Sequence, residues 1–138
     1  MTPAHSAPTV VLGALVQIDG AWRQNPAQRA FAGDAYIYVR AGELPAIDDA
    51  VADPLCKVKL FHPFTRFTYY AYALTEYPGA GPVLTGLVTG LGEDEVGDTA
   101  LRDIAELRVA HLPPERDLHW HPAPLSQVSA TARTRQLE

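Results

Sequence analysis

Three consecutive extended segments joined by short links constrain the fold of this chain most strongly. In residues 56–61, lysines alternate with aliphatic residues, which is typical of a strand with one exposed and one buried face. The aromatic and β-branched residues 67–77 predict a longer strand, and the turn sequence 78–82 leads into a third strand over residues 83–90. Because links this short favour antiparallel pairing, we predict an α+β fold and not a doubly wound parallel sheet.

The other elements are predicted from cap, breaker and periodicity signals. They comprise strands over residues 9–18, 35–40 and 115–120 and short helices over residues 25–33 and 44–52. An apolar stripe predicts the principal helix over residues 98–108. We therefore expect a mainly antiparallel sheet of five or six strands packed against this helix, with short extra helices. Gly86 and Gly90 indicate a bulge or a close approach of two backbones.

A chain of 138 residues fits a single domain. We expect a flexible N-terminus over residues 1–8, an added strand–helix–strand layer over 9–42, a main body over 43–125 and a polar tail over 126–138. The predicted core comprises Val10, Leu12, Leu15, Val58, Leu60, Tyr70, Leu87, Leu101, Ile104, Leu107, Leu118 and Trp120.

Composition excludes several classes of function. The net charge of −5 excludes a chain-wide basic footprint for duplex nucleic acid. No apolar run reaches the roughly 18 residues of a membrane-spanning helix. A single cysteine excludes an internal disulfide framework and a cysteine-rich metal site. Since residues 1–18 also lack the pattern of a secretion signal, we expect a cytoplasmic protein with no membrane contact and no cofactor.

Short motifs in a fixed order run through residues 43–125. The matching residues are Leu44-Pro45-Ala46, Lys57-Val58-Lys59-Leu60-Phe61, Pro63, Tyr70, Thr75-Glu76-Tyr77, Gly86-Leu87-Val88, Gly90, Glu95-Val96-Gly97, Leu101, Ile104, Glu106, Arg108, Leu112-Pro113, Glu115-Arg116-Asp117-Leu118-His119-Trp120, Pro122 and Pro124-Leu125. This segment resembles DUF2958, an uncharacterised bacterial family found on plasmids, phages and integrated mobile elements. The resemblance implies no known reaction, only the context of an accessory gene of a mobile element. The chain departs from the family pattern at Asp98-Thr99-Ala100, where an aromatic pair and a serine cap are usual.

Cations interleaved with aromatic residues form the first candidate site. Its members are Lys57, Lys59, Arg66, Tyr69, Tyr70 and Tyr72. Single-stranded nucleic acid is bound in this way, because bases stack on aromatic rings while cations follow the phosphates. The alternative is that the aromatic residues belong to the core and the lysines cover a solvated sheet face.

The stretch that ends in His121 forms the second candidate. On a continuous strand, Glu115, Asp117, His119 and His121 would share one face, and His119 with His121 could chelate a metal if His62 or His111 supplied a third ligand. The alternative is a scaffold strand with Leu118 and Trp120 in the core. Glu115, Arg116 and Asp117 would then be structural, with Arg116 paired to a carboxylate such as Glu76 or Glu95.

The acidic stretch from Glu93 to Glu106 is the third candidate. It holds six acids against one cation, a charge of −5 that equals the net charge of the chain. Such a surface could imitate DNA phosphate and occupy a host enzyme, although a solvated face is the simpler interpretation. Cys56 is interpreted as a small hydrophobic residue and not as a nucleophile.

These observations favour a small non-enzymatic binding protein of a mobile element, without catalytic residues. Its partner would be a protein or single-stranded nucleic acid, bound at residues 57–72. The alternatives that stay open are a metal-dependent hydrolase centred on His119 and His121, and an acidic inhibitor of a host DNA-acting enzyme. The sequence also leaves a homo-oligomer open.

Overall fold

The computed structural model describes residues 10–12, 15–18, 20–24 and 33–129. The strands are β1 (Val10–Leu12), β2 (Leu15–Ile18), β3 (Ala21–Gln24), β4 (Ile37–Val39), β5 (Leu55–Cys56), β6 (Val58–Phe61), β7 (Thr68–Tyr77), β8 (Gly81–Thr89), β9 (Glu95–Ala100), β10 (Glu115–Arg116) and β11 (Ala123–Pro124). A 3-10 helix covers Asp34–Tyr36, the α-helix α1 covers Leu101–Glu106, and residues 125–129 are helical.

The predicted antiparallel sheet is confirmed as five strands in the order β10-β6-β7-β8-β9. A second antiparallel sheet has the order β1-β2-β3-β4, and β11 pairs with β5 in a short ribbon. The prediction of one strand over residues 9–18 is wrong, because Leu12 pairs with Leu15 and the segment forms the hairpin β1–β2. The helix predicted over residues 25–33 lies almost wholly outside the described residues.

The five-stranded sheet has two faces with different tasks. Its inner face carries Val58 and Leu60, the aliphatic residues of the predicted alternation in β6, together with the buried ring of Tyr69. This face packs against the second sheet and α1. The buried residues of this core are Leu15, Trp22, Tyr38, Val39, Leu44, Val58, Leu60, Phe67, Tyr69, Ala71, Leu84, Leu101, Ile104 and Ala105. The outer face carries Lys59, Tyr70 and Leu87, since directly paired residues of neighbouring strands point the same way.

The outer face is covered in part by the segment that follows β10. Val128 and Leu125 of this segment pack with Tyr70 and Leu87 in a second, smaller cluster, which also includes Cys56. Among the predicted core residues with described side chains, Leu107 and Leu118 are exposed, so those two assignments are wrong. Trp120 is half-buried against the second cluster.

The principal helix predicted over residues 98–108 is wrong, because β9 extends through Ala100 in register with β8. Asp98 pairs with Thr85 and Ala100 with Val83, so the backbone of this stretch is hydrogen-bonded in the sheet. Only Leu101–Glu106 are helical, and the helix starts without a side-chain cap. No helix within residues 10–12, 15–18, 20–24 and 33–129 is long and apolar enough to cross a membrane.

The short helix predicted over residues 44–52 is also wrong. The carbonyl of Pro45 accepts a hydrogen bond from the Leu74 N–H at 2.8 Å, and the Ile47 N–H donates to the hydroxyl of Thr75 at 2.9 Å. These backbone groups bond to β7 and are thereby withdrawn from the helical pattern. Apart from Leu44, the residues of this segment are exposed, so it has no buried helical face.

Gly86 lies where two backbones approach closely. The pairing of β7 with β8 shifts between Ala71 and Ala73, which leaves Tyr72 as the extra residue of a bulge. A Cβ atom at Gly86 would lie 2.1 Å from the carbonyl oxygen of Tyr70. The prediction that this glycine marks a close approach is therefore confirmed.

We expect Gly86→Ala to lower the free energy of unfolding by about 3 kcal/mol, because the new methyl group collides with backbone. The matched control is Gly97→Ala. Gly97 pairs with Gly86 across β8 and β9, yet its Cβ would meet no atom within 4 Å. Urea denaturation of both variants checks the prediction, and equal losses of stability would contradict it.

Candidate functional site

An ion pair fixes the position of β10. The Arg116 guanidinium donates from Nη1 to Oε1 of Glu43 at 2.6 Å and from Nη2 to Oε2, and Nη1 also donates to the carbonyl of Tyr38 at 3.2 Å. The suggested partners Glu76 and Glu95 are wrong. Glu95 lies on β9, at the opposite edge of the sheet from β10. A bidentate pair of this kind fixes orientation as well as distance.

The Glu43 carboxylate is stabilised in its charged form. Burial alone would raise the pKa of Glu43. Hydrogen bonds from Arg116 and from the Arg40 N–H, together with the charges of both arginines, outweigh burial and hold the pKa below its ordinary value. Near the same strand, burial and then the charge of Glu115 raise the pKa of Tyr36.

Strand β10 ends at Arg116, because Asp117 starts a turn. The Asp117 carboxylate accepts a hydrogen bond from the His119 N–H at 2.9 Å, and its carbonyl accepts one from the Trp120 N–H at 3.3 Å. Aspartate favours such turns since its side chain replaces a backbone acceptor. The prediction of a continuous strand that aligns His119 with His121 is therefore wrong.

The third metal ligands considered for this site are placed elsewhere. His62 is buried, its Nδ1 accepts a hydrogen bond from the Phe64 N–H at 3.1 Å, and its Nε2 lies 2.9 Å from the Leu112 carbonyl. Because an N–H can only donate and a carbonyl can only accept, Nδ1 serves as the acceptor and Nε2 as the donor in this arrangement. Both ring nitrogens are thereby occupied. In the part of the chain that the structure describes, no three potential ligands among His, Cys, Asp and Glu come together as a metal site.

His111 lies in a strained turn. Val109 and Leu112 exchange backbone hydrogen bonds of 3.0 Å, and the two residues between them, Ala110 and His111, have φ angles of 52° and 67°. Two left-handed residues in this position are typical of a type I′ turn, which asparagine and glycine usually form. His111 is exposed in this turn.

The turn at Asp117 places Trp120 on the outer face of the sheet, beside Tyr70 and Lys59. The two ring centroids are 5.3 Å apart at an interplanar angle of 57°. Nζ of Lys59 lies 5.7 Å from the centroid of the Tyr70 ring and 5.5 Å from that of the Trp120 ring, and 3.3 Å from Oδ2 of Asp117. The indole Nε1–H donates to the Cys56 carbonyl at 3.0 Å. We name Lys59, Tyr70, Trp120 and Asp117 the lysine–aromatic cluster.

Two pockets open on either side of Lys59. One has a volume of about 190 Å³ and is lined by Lys59, Tyr70, Trp120, His121, Ala123, Gln127 and Val128. The other has a volume of about 230 Å³ and is lined by Lys59, Phe61, His62, Thr65, Arg66, Phe67, Thr68 and Asp117. Since Lys59 lines both, the lysine–aromatic cluster stands between a pocket that includes Trp120 and a pocket that includes Arg66.

Of the other residues predicted to bind nucleic acid, Lys57 and Tyr72 line a separate cavity and Tyr69 lies on the wrong face. The cavity measures about 360 Å³ and has mainly apolar walls, which include Pro45, Val51 and Leu55. Tyr69 is fully buried in the inner core, and its hydroxyl lies 2.9 Å from the carbonyl oxygen of Leu84. Burial raises the pKa of Tyr69 to about 12. Its place in the candidate interface is therefore a wrong prediction.

Sequence reasoning missed Trp120 and Gln127 as parts of this site. The polar–apolar alternation predicts Trp120 in the core of a continuous strand. Asp117, three residues earlier, is a turn signal that argues against such a strand. No signal in the sequence marked Gln127. Cys56 agrees with its interpretation as a hydrophobic residue, since it is fully buried and burial raises the pKa of its thiol to about 11.

The segment that builds this site matches the model of a known protein family. A family model described as a protein of unknown function, DUF2958, matches residues 38–136. The chain belongs to the DUF2958 family. The DUF2958 match includes Glu43, Arg116 and the lysine–aromatic cluster, and it leaves β1, β2 and β3 outside. No curated protein and no solved structure matched the chain.

We expect Arg116→Met to lower the free energy of unfolding at neutral pH by about 2 kcal/mol, because it leaves the half-buried Glu43 carboxylate without its partner. The matched control, Arg102→Met, removes an exposed arginine from α1 and should cost less than about 0.5 kcal/mol. Equal costs for the two variants would show that the ion pair is not stabilising.

The loss should depend on pH. The depressed pKa of Glu43 in the folded protein contributes stability above the unfolded value of about 4.3, and this contribution is lost as pH falls through the lower folded pKa. In Arg116→Met, burial still raises the pKa of Glu43, and only the N–H and the charge of Arg40 oppose it. The stability difference between wild type and variant should therefore shrink as pH falls below the unfolded value, as measured by urea denaturation across this range.

Proposed function

We propose that this protein is a small non-enzymatic binding protein that holds single-stranded nucleic acid on the outer face of its five-stranded sheet. The observation that supports this proposal is the lysine–aromatic cluster, in which Lys59 lies 5.7 Å from the centroid of the buried Tyr70 ring and 5.5 Å from that of the half-buried Trp120 ring, and lines two adjacent pockets. The role as an accessory protein of a mobile element is part of the same proposal and rests on the resemblance alone.

Stacking and charge would share the binding energy. A base stacked on an aromatic ring contributes about 1–3 kcal/mol, and Trp120 offers its indole at the wall of the 190 Å³ pocket. The phosphates would follow Lys59 and then Arg66, which line the neighbouring pocket. Because the chain as a whole carries −5, binding would depend on these local cations and would be sensitive to salt.

A metal-dependent hydrolase at His119 and His121 has less support. The turn at Asp117 takes the two histidines out of a common strand, and both nitrogens of His62 are occupied by hydrogen bonds. The Cys56 thiol does not suit a nucleophile, since it is buried and burial raises its pKa to about 11. We therefore favour binding over catalysis.

Trp120 allows a direct measurement of binding. The chain has two tryptophans, and Trp22 is buried in the inner core, 3% exposed. A Trp22→Phe variant isolates the Trp120 fluorescence, which stacking with a base is expected to quench. Titration with oligo(dT) and with a duplex of equal length should show preference for the single strand. Failure of oligo(dT) to change the fluorescence, or equal affinity for both oligonucleotides, would contradict the proposal.

Replacement of Lys59 and Arg66 by alanine should weaken oligo(dT) binding at least about tenfold and make it less sensitive to salt. In the wild type, two neutralised phosphates should give a slope of log K against log salt of about −1.4. The matched control is Arg102→Ala, which removes a cation of α1 and should leave the affinity unchanged. If the double variant binds like wild type, the surface does not take nucleic acid. A protein partner would then become the better hypothesis.

A further inference from the structure

The strand β9 forms the edge of the five-stranded sheet that lies opposite β10. It pairs with β8 over six consecutive residues without a shift in register. Among the residues that the structure describes, no other strand pairs with it. An edge strand presents N–H and C=O groups that can bond to an added strand.

This edge lacks several of the devices that usually keep a strand from pairing. Sheet edges are commonly protected by lysine, proline, a bulge or a very short strand. The sequence of β9, Glu-Val-Gly-Asp-Thr-Ala, contains no lysine or proline, its pairing is regular, and its length is six residues. Val96 is 49% exposed and Leu91, in the preceding turn, is 69% exposed. The edge therefore offers apolar contact as well as backbone hydrogen bonds.

The charges on β9 itself are all negative. Glu95 and Asp98 are exposed on β9 and Glu93 is exposed in the preceding turn, while the helix that follows carries both Arg102 and Asp103. A second copy of this chain would place the same acids against each other, which opposes self-pairing. A strand with basic residues would instead find opposite charges along the whole edge.

We propose that β9 is a docking edge for an extended basic segment of a partner protein, which adds as a sixth strand to the sheet. Val96 faces the same side of the sheet as Leu87, with which it pairs, so Asp98 faces that side and Glu95 the other. The two acids are three residues apart, and a complementary segment carries cations at the same spacing with β-branched residues between them.

A repeating lysine–valine–threonine peptide tests this edge, because it places cations three residues apart. We expect it to bind the full chain, with fluorescence anisotropy as the readout, and to protect amides of β9 from hydrogen exchange. A peptide with glutamate in place of lysine should not bind. Binding of both peptides, or of neither, would overturn the proposal.

Backbone methylation separates strand addition from simple charge attraction. An added strand uses only alternate peptide nitrogens to bond to its neighbour. Of two peptides methylated on one or the other set of alternate nitrogens, one should therefore bind like the parent and the other should lose binding. Equal binding of the two would mean that the acids attract any cationic peptide, and the proposal would fail.

Reversal of a charge on β9 tests whether the peptide binds at this edge. Glu95→Lys should weaken peptide binding at least about fivefold, since it replaces an attraction with a repulsion. The matched control, Glu76→Lys, makes the same change at an exposed residue of β7, which is already paired on that stretch with β8, and should change the affinity less than twofold. Similar losses in both variants would contradict a local edge site. If the wild type sediments as a dimer and Glu95→Lys changes this oligomeric state, the edge binds a second copy of the chain, and the proposal is overturned.

Discussion

The bidentate ion pair between Arg116 and Glu43 is the contact on which the rest of the arrangement depends. It ties the two-residue strand β10, which alone would hold few hydrogen bonds, to the segment that follows β4. The same guanidinium bonds the Tyr38 carbonyl, and the Tyr38 hydroxyl donates to the carbonyl of Pro114 at 2.8 Å. These contacts fix the point at which the chain leaves the sheet edge and turns across its outer face.

After β10 the chain covers part of the outer face of the sheet and leaves the candidate site open beside it. The Ser126 hydroxyl and N–H both donate to the Asp53 carboxylate, at 2.6 and 2.9 Å, and β11 pairs with β5, so the cover is attached at both ends of its path. These bonds from Ser126 hold the pKa of Asp53 below its ordinary value. Between β10 and β11, Trp120 is held against Tyr70. The candidate site is therefore the uncovered margin of a packed surface, and its aromatic rings are already in position before any ligand arrives.

Much of the central sheet could be predicted from local pattern, because alternation and turn residues act between neighbours in sequence. The lysine–aliphatic alternation of β6 and the hairpin β7–β8 were both predictable, and they are the parts of the site that lie on regular strands. Tyr69 and Tyr70 show the limit: a one-residue difference decides which face a side chain takes, and only the register with β6 and β8 fixes it.

Several wrong predictions share one physical origin, which is competition from bonds between distant residues. The segments 44–52 and 98–100 have helical signals, but their backbone groups bond to β7 and β8. The partner of Arg116 lies 73 positions away, and no periodicity relates the two residues. At Asp117 the opposite occurs, since a local side-chain acceptor ends a strand that the polar–apolar alternation would have prolonged.

The left-handed turn at Ala110 and His111 has a wider consequence. Each such residue without a glycine costs on the order of 1 kcal/mol in its backbone conformation, and the turn directs the neighbouring Leu112 carbonyl at the buried ring of His62. Within the described residues, the fold thus places its left-handed non-glycine residues in one exposed reversal and keeps them out of the sheet. Asparagine and glycine adopt left-handed backbone at lower cost than alanine or histidine, so this reversal is a place where the chain could gain stability with its path, and the bond to His62, unchanged.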